Sequence, residues 1–156
     1  MRLRTGIRAL VVDPEERTVL VRFEFPGRTF WATPGGGVEE GEDDAATLTR
    51  ELREELGLEV DSALGPCVWV RTHVFPMGEW DGQMERYYLL RTPAFTLRPA
   101  LSPEALLGEG VAELRWWTLE ELEAATDVVF APRGLPLLLR ELLRDGPAVE
   151  PIDVGV

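Results

Sequence analysis

Apolar and polar residues alternate along the start of the chain, and this period of two predicts β-strands. Residues 3–12 and 18–24 alternate or run apolar on either side of DPEER, whose Asp-Pro pair favours a turn, so they predict a β-hairpin. The segment TFWAT, residues 29–33, predicts a short third strand that ends at Pro34 and three glycines. We therefore expect the chain to open with three strands.

A helical period replaces this alternation at residues 43–56. The apolar residues here stand three and four positions apart and form one stripe that can enter a core, namely Ala45, Leu48, Leu52 and Leu56. Gly57 follows at once, and we expect it to cap the C-terminus of the helix.

Strands are also predicted further along the chain, at VDSALGPCVWVRTHVF (60–75), MERYYLLRT (84–92) and ELRWWTL (113–119). The segment HVFPMGEWDGQ (73–83) is expected to be the loop that joins the first two of them.

Two helices are predicted near the end. Thr118 and Glu121 have the spacing of a capping box, so a helix is expected from Thr118 to about Ala125. The segment PLLLRELLRDG (136–146) predicts a last helix, with a proline near its start and a glycine past its end.

Together these elements predict a mixed α/β fold. Strands outnumber helices and hairpins are frequent, so we expect a mixed sheet sandwiched by helices rather than a regular βαβ arrangement. No repeat and no linker long enough to separate two domains is found in the sequence. The prediction is a single domain over residues 1–147, followed by a loose tail over residues 148–156.

The composition limits the class of ligand. The net charge of −12 repels nucleic acid, which needs a basic surface to displace counterions, and it also repels a free phosphate ester. An acidic protein that acts on an anionic substrate therefore needs a cation between the two. No apolar run approaches the roughly 20 residues of a membrane span. The single cysteine, Cys67, fits a reducing compartment, so a cytoplasmic location is expected.

Missing residue types limit the chemistry further. All 16 basic residues are arginines, which excludes a P-loop lysine and a Schiff-base lysine. His73 is the only histidine, so multi-histidine metal sites are excluded. The only serines, Ser62 and Ser102, do not lie in a GxSxG motif. If the protein is an enzyme, carboxylates with a hard metal ion must carry most of its chemistry.

Three acids of the first predicted helix could form such a site. Glu51, Glu54 and Glu55 stand at i, i+3 and i+4, so their carboxylates share one face, and oxygen ligands select Mg²⁺ or Mn²⁺. A carbonyl of Gly35 or Gly36 could join them, because glycine lets the backbone approach closely. On spacing alone, a solvated acidic face is an equally good interpretation. A solubilising face would normally interleave Lys or Arg at i+4, and here Glu51 faces Glu55.

These acids belong to a longer pattern. From Gly36 to Leu58 the chain reads G-x5-E-x7-R-E-L-x-E-E-x-G-L, which matches the Nudix box G-x5-E-x7-R-E-U-x-E-E-x-G-U at every defined position. The preceding WATPGGG and the later AELRWWTLEEL also resemble that family. The resemblance therefore extends from the first hairpin to the helix that follows Thr118.

The resemblance implies an α/β/α sandwich that hydrolyses a diphosphate bond in a nucleoside diphosphate linked to another group X. It implies that Glu51, Glu54 and Glu55 bind Mg²⁺, with Mn²⁺ as a substitute, and that more than one ion is held once substrate is bound. It also implies that Arg50 and Glu42 pair to hold the loop against the helix.

The general base is expected among a few glutamates. Within the box, Glu51 or Glu54 is the first choice. Outside it, Glu109 precedes the AELRWW strand as a glutamate does in MutT-like proteins, where it would also bind metal; Glu104 and Glu113 compete for this role. An exposed loop acid is an equally good interpretation of Glu109.

Substrate contacts are expected from residues outside the box. Arg22 ends a strand and Arg28 follows on a loop, and either could hold a terminal phosphate bidentately, although a surface position is the more common one for Arg28. Glu85 could face the pocket. Four aromatic residues could stack on a base, although packing in the core is the commoner role for each of them: Trp31, Phe75, Trp80 and Tyr87.

The sequence does not identify the group X that is linked to the nucleoside diphosphate. A short MutT-like enzyme acting on nucleoside triphosphates or similar nucleotides is the leading interpretation, and an ADP-ribose or nucleoside diphosphate sugar hydrolase comes second. A non-catalytic nucleotide sensor is a third, against which the intact box argues. The expected partner is a small-molecule nucleotide, without duplex nucleic acid or membrane; whether the chain forms a homodimer is left open.

Overall fold

A computed structural model describes residues 1–60 and 64–156. Strands predominate, as the sequence predicts. In chain order the elements are β1 (Leu3–Val12), β2 (Thr18–Phe25), β3 (Arg28–Ala32), β4 (Gly35–Gly37), α1 (Asp44–Leu56), β5 (Cys67–Met77), β6 (Trp80–Arg91), α2 (Pro103–Gly108), β7 (Val111–Trp117), α3 (Leu119–Ala124), β8 (Phe130–Ala131), α4 (Leu135–Asp145) and β9 (Ile152–Asp153).

The strands form one mixed sheet in the order β8-β3-β2-β1-β6-β5-β9. Strand β1 is antiparallel to β2 and parallel to β6. The pairing of β1 with β2 is limited to Val12 and Thr18; further along, β1 pairs with β4 and β2 pairs with β7. The two central strands therefore diverge, and both of them line the cleft described below.

Apolar residues are buried on both faces of the sheet. Ile7, Ala9 and Val11 of β1 pack against the apolar stripe of α1. Leu10 and Val12 point to the other face, where they join the cluster that contains residues of α3 and α4. A strand buried on both faces fits a sheet between two helical layers, so the predicted α/β sandwich with a mixed sheet is confirmed.

Helix α1 begins and ends as its sequence predicts. The Asp43 side chain accepts a 2.8 Å hydrogen bond from the backbone nitrogen of Ala46. Gly57 caps the other end with φ of 72°, and a Cβ there would lie 1.9 Å from the carbonyl oxygen of Arg98, so only glycine fits. In the first turn, Asp44 accepts hydrogen bonds from Arg86 and Tyr88 of β6, which anchors the start of the helix to the sheet.

The prediction of a loop at residues 73–83 is wrong. Strands β5 and β6 continue through it as a hairpin and turn at Gly78, whose φ of 59° is left-handed. The pairing of β5 with β9 covers only Trp69 and Val70, so the missing N–H of Pro76 leaves no ladder bond unmade on that side. Part of the strand predicted at 60–75, residues 61–63, lies outside the described residues, and β5 begins at Cys67.

Three further differences concern short elements. The glycine run was expected to end a strand, but Gly35–Gly37 itself pairs with β1 as β4. Helix α2 was not predicted, because six residues are too few to show a period. The tail was expected to be loose, but Ile152–Asp153 pairs in parallel with β5 as β9. Within residues 1–60 and 64–156, no helix has the length and apolar character needed to cross a bilayer.

Candidate active site

A cleft of about 630 Å³ lies beside β4, which is called here the glycine strand. It is also lined by glutamates of α1 and by side chains of β1, β5 and β6. One side carries acids, among them Glu51, Glu55 and Glu109. Arg4, Arg8 and other polar residues of β1, β5 and β6 also line the cleft. The cleft therefore combines acidic residues, called here its acidic side, with basic residues, called here its basic side.

Arg50 organises the acidic side. Its guanidinium donates to both oxygens of Glu42, at 2.7 and 2.9 Å, and to the carbonyl oxygen of Gly37 at 3.1 Å. It also donates to Glu51 at 2.8 Å. The hydrogen bonds from Arg50 lower the pKa of Glu42 to about 2. The expected pairing of Arg50 with Glu42 is present, and it joins the loop before α1 to the helix.

Two carboxylates of α1 are buried at the cleft. Glu51 is 8 % exposed and Glu55 only 2 %. Burial first, and then the charge of Glu51, raise the pKa of Glu55 to about 8. Burial likewise raises the pKa of Glu51, and the charges of Glu54 and Glu109 act in the same direction. Negative charge is therefore in excess here, and a bound cation would relieve it.

The glycine strand lets these carboxylates lie against the backbone. The backbone nitrogen of Gly35 donates a 2.8 Å hydrogen bond to Glu55. A Cβ on Gly36 would lie 2.4 Å from Glu51 Oε1, so a side chain there would displace that carboxylate. The carbonyl oxygen of Gly35 also lies at the cleft, where it accepts a 3.1 Å hydrogen bond from Arg8.

The third box acid, Glu54, is oriented differently. It does not line the cleft, and its Oε2 lies 3.5 Å from Nη1 of Arg50. Across residues 1–60 and 64–156, no three acidic, histidine or cysteine side chains stand close enough together to hold a metal ion as they are arranged. The donors nevertheless fit a hard divalent ion, because all are oxygens and two are buried carboxylates with raised pKa values. Glu54 would have to give up its contact with Arg50 to join them.

The polar residues of β1, β6 and β5 that line the cleft are called here its floor, and they form a ladder across these three paired strands. Arg4 pairs in register with Gln83 and Gln83 with His73; one step along, Gly6 pairs with Glu85 and Glu85 with Arg71. Because successive side chains of a strand alternate between faces, residues two apart share the cleft side. Gly6, which has no side chain, leaves room for its neighbours in the ladder.

Glu85 is the anion of this floor. It is buried and accepts hydrogen bonds from Arg8 Nε at 2.7 Å and Arg71 Nη1 at 2.6 Å. Burial alone would raise its pKa, but the charges and hydrogen bonds of the two arginines outweigh burial and lower the pKa to about 2. Glu85 also accepts from Gln83 at 2.9 Å and from Tyr87 at 3.1 Å. It faces the pocket as predicted, but as a counter-ion to arginines.

Aromatic rings form another wall. Phe23 stacks on Phe25 and Phe30, with ring centroids 6.0 and 5.5 Å apart. The guanidinium of Arg28 lies 5.1 Å from the ring of Phe30 and 5.2 Å from that of Phe75. Phe75 and Arg28 thus lie at the cleft, as the sequence suggested, and Phe23, Phe25 and Phe30 were missed.

Other predicted contacts lie elsewhere. The prediction for Arg22 is wrong, since its guanidinium pairs with Glu24 and Glu113 and does not line the cleft. β2 alternates there, so Val21 and Phe23 point inward and Arg22 points away. Trp31 packs in the core against Trp117.

The remaining candidates divide between the cleft and the surface. Trp80 lies beneath Arg2 and outside the cleft, whereas the buried Tyr87 lines its floor. Glu109 follows α2 and lines the cleft, whereas its competitors Glu104 and Glu113 do not.

Sequence reasoning missed Arg4, Arg8, Arg71 and Gln83. A signal was available in IRALVV, where a charged residue interrupts a strand that is otherwise buried. Such a residue needs a partner, but the sequence does not say which strand supplies it.

The model of the NUDIX domain matches residues 2–138. Nudix hydrolase 25 of Arabidopsis thaliana is 37% identical over 84 residues, which is 47% of this chain and 47% of that protein. Nucleoside triphosphatase NudI of Enterobacter sp. (strain 638) is 32% identical over 119 residues, or 71% of this chain and 79% of that protein. The match thus spans about half the length of the Arabidopsis protein.

The fold has relatives among solved structures. The crystal structure of a MutT NUDIX hydrolase from Burkholderia pseudomallei superposes with a TM-score of 0.65 at 21% identity, covering 89% of this chain and 98% of that one. This likeness concerns the fold. The family model covers most of the chain. This chain belongs to the Nudix family.

Proposed function

We propose that this protein hydrolyses a diphosphate bond in a nucleoside diphosphate linked to another group, as a MutT-like nucleotide pyrophosphohydrolase that uses Mg²⁺. One observation carries the proposal. Glu51 and Glu55 are buried, mutually repelling carboxylates at a cleft that arginines also line. Such a cleft suits a divalent ion on one side and a phosphate chain on the other.

The ligands proposed for the ion are Glu51, Glu54, Glu55, Glu109 and the carbonyl oxygen of Gly35. All but Glu54 line the cleft. Oxygen donors of this kind select Mg²⁺, and Mn²⁺ is expected to substitute for it. When bound, Mg²⁺ would neutralise phosphate charge and lower the pKa of a water molecule in its coordination shell.

The residues of the chain supply position and proton transfer. Arg50 holds the loop to α1, so the carboxylates of the box keep one geometry. The proton of the attacking water passes to Glu54, the proposed general base, because it is held by a single long contact of 3.5 Å and can turn. Glu51 is the alternative base within the box, although its 2.8 Å bond to Arg50 restrains it.

The basic side orients the phosphates. Arg28, at the cleft beside Phe30 and Phe75, is proposed to contact the substrate, with the rings offering a surface for the base. Glu85 supports substrate binding indirectly, since it orients Arg8 and Arg71.

The likeness to nucleoside triphosphatase NudI, at 32% identity over 119 residues, supports nucleoside triphosphates as the first substrates to test. The test is a panel of nucleoside triphosphates, nucleoside diphosphate sugars and ADP-ribose, incubated with Mg²⁺ and with chelator. We expect turnover with Mg²⁺, none with chelator, and products that identify the bond broken. Inactivity across the panel, with nucleotide binding retained, would instead assign the domain to ligand sensing.

A further inference from the structure

Hydrogen bonds join both ends of helix α1 to the sheet. Near its C-terminal end, Glu55 accepts a 2.8 Å bond from the backbone nitrogen of Gly35. At its first residue, Asp44 accepts two bonds of 2.7 Å from the guanidinium of Arg86 and one from the hydroxyl of Tyr88. The first contact lies at the cleft, whereas Asp44 and its two partners do not line the cleft.

Asp44 lies on the same face of α1 as the two buried carboxylates. Glu51 and Glu55 follow it by seven and eleven residues, which is roughly two and three helical turns. A helix moves as a stiff body at this length, so a rotation or shift at Asp44 is transmitted to both carboxylates.

The pair of Asp44 with Arg86 has a defined geometry that the apolar stripe of α1 lacks. Apolar contacts are non-directional, so the leucines hold the helix on the sheet without choosing one exact position. A bidentate arginine–carboxylate pair fixes both distance and angle. The hydrogen bond from Arg86 lowers the pKa of Asp44 and outweighs partial burial, which acts in the opposite direction, so the pair stays charged at neutral pH.

Strand β6 connects this pair to the floor of the cleft. Glu85 and Tyr87 point to the cleft. Arg86 and Tyr88 alternate with them and face α1, where Tyr88 packs against the leucine stripe. One strand therefore holds the helix on one face and the floor on the other.

We infer that Asp44 is a positioning residue, whose bonds to Arg86 and Tyr88 fix the rotation of α1 and so hold the buried carboxylates of the helix at the cleft. For its effect on catalysis this inference rests on the proposed function. Ligands must be held within about 0.5 Å of their working geometry, so even a small shift of α1 weakens metal binding.

Amide hydrogen exchange in chelator, followed by NMR, tests the inference without metal or substrate. The amide of Gly35 reports on its bond to Glu55. The amide of Trp31, bonded to the carbonyl oxygen of Val129 at 2.9 Å, reports on the core on the opposite face of the sheet. In Asp44→Asn the protection of Gly35 should fall roughly three- to tenfold more than that of Trp31, as weakening one hydrogen bond can supply. A general loss of stability would not single out Gly35.

Mn²⁺ binding without nucleotide, measured by calorimetry, gives a second readout. Asp44→Asn should bind Mn²⁺ about tenfold more weakly than the wild type, the effect typical of residues that orient metal ligands. Thermal melting establishes that the variant is folded.

Two further variants and a control complete the test. Arg86→Lys keeps the charge but loses the planar pair of donors, so both readouts should be intermediate. Tyr88→Phe removes only the hydroxyl and should give a smaller change in the same direction. Glu123→Gln is the matched control, because Glu123 also forms a bidentate pair, with Arg140, but joins α3 to α4 outside the cleft. Both of its readouts should equal those of the wild type.

The outcomes separate the two proposals. The role of Asp44 stands only if both readouts fall selectively, and values equal to those of Glu123→Gln overturn it. If Asp44→Asn does not fold, Arg86→Lys decides by the same comparison. If the wild type binds no Mn²⁺, the proposed function falls and the exchange of Gly35 alone decides the role of Asp44. A wild type that binds Mn²⁺ but cleaves no nucleotide contradicts the proposed function and leaves the positioning role standing.

Discussion

The backbone nitrogen of Gly35 donates a 2.8 Å hydrogen bond to Oε1 of Glu55, and this bond joins the glycine strand to the acidic face of α1. Gly35 is also pressed against β1, where a Cβ would lie 2.0 Å from the carbonyl oxygen of Ile7. The bond partly offsets the burial of Glu55 but does not cancel it, since the pKa of this carboxyl is still raised to about 8. The site thus contains a carboxylate whose charge is unfavourable until a cation arrives.

The metal-free protein should lose stability as the pH rises from about 5 to about 8. The pKa of Glu55 is about 8 when folded, against an ordinary value of 4.5. Between these values the folded state keeps a proton that the unfolded state has released, so the free energy of unfolding falls as the pH rises. We expect a loss of roughly 2–5 kcal/mol, measured by urea denaturation in chelator.

Glu55→Gln supplies the comparison for this effect. It removes the titrating group, so most of the pH dependence in that window should disappear. Glu120→Gln, at an exposed position of α3, should keep the wild-type slope. A Glu55→Gln protein that loses stability with pH as steeply as the wild type would show that Glu55 does not titrate there.

Glu54→Gln should slow turnover by about 10²–10⁴-fold, since a general base typically contributes that much. Its melting temperature should stay near that of the wild type or rise. The substitution removes one of three neighbouring negative charges and gives up only a 3.5 Å contact with Arg50. Steady-state kinetics and thermal melting measure both effects, with Glu120→Gln as the charge-matched control. Equal turnover in the variant and the parent would remove Glu54 from the mechanism.

Glu109→Gln distinguishes the two proposed locations of the base. We expect a smaller loss of turnover than for Glu54→Gln, together with a higher Mg²⁺ requirement, because Glu109 is exposed at the cleft and is proposed as a ligand. Glu104→Gln, on α2 shortly before Glu109 but outside the cleft, should behave as the wild type. A loss for Glu109→Gln as large as that for Glu54→Gln would move the base to the later loop.

Gly36→Ala should impair the site more than the fold. The new Cβ would lie 2.4 Å from Oε1 and 2.6 Å from Cδ of Glu51, and the flexible end of that side chain can move aside. We expect a stability loss of about 1 kcal/mol or less but a drop of at least about tenfold in Mg²⁺-dependent turnover. Gly108→Ala is the matched control, because no atom lies within 4 Å of a Cβ there. Unimpaired turnover in Gly36→Ala would contradict the proposed position of Glu51.

Glu85→Gln should destabilise the protein by roughly 3–5 kcal/mol, because Arg8 and Arg71 would lose their shared anion in a buried place. The folded pKa of Glu85, about 2, lies below its ordinary value of 4.5. Its contribution to stability is therefore present above about pH 4.5 and is lost as the pH falls towards 2. Glu79→Gln, at an exposed pair with Arg2, should change stability by less than about 1 kcal/mol. Equal stabilities of the two variants would contradict this account.

The acidic side of the cleft could be predicted because its geometry is local. Glu51 and Glu55 lie one helical turn apart, and the glycine run ends only seven residues before the helix begins, so short-range spacing is enough to bring them together. The same holds for the glycine cap of α1 and for the capping box at Thr118. The orientation of Glu54 towards Arg50 could not be predicted, since spacing places a side chain on a face but does not choose its partner.

The sequence by itself determined the helix and its glycine cap, because both depend on contacts within a few turns of chain, and its resemblance to the Nudix box implied the pairing of Arg50 with Glu42. Only the tertiary structure decided that Arg4 and Arg8 would share a floor with Gln83 and Glu85. Those partners lie 77 to 79 residues away, on a strand that aligns in parallel beside β1. Strand pairing over such a distance depends on burying both faces of the sheet at once, and no local pattern of residues specifies it.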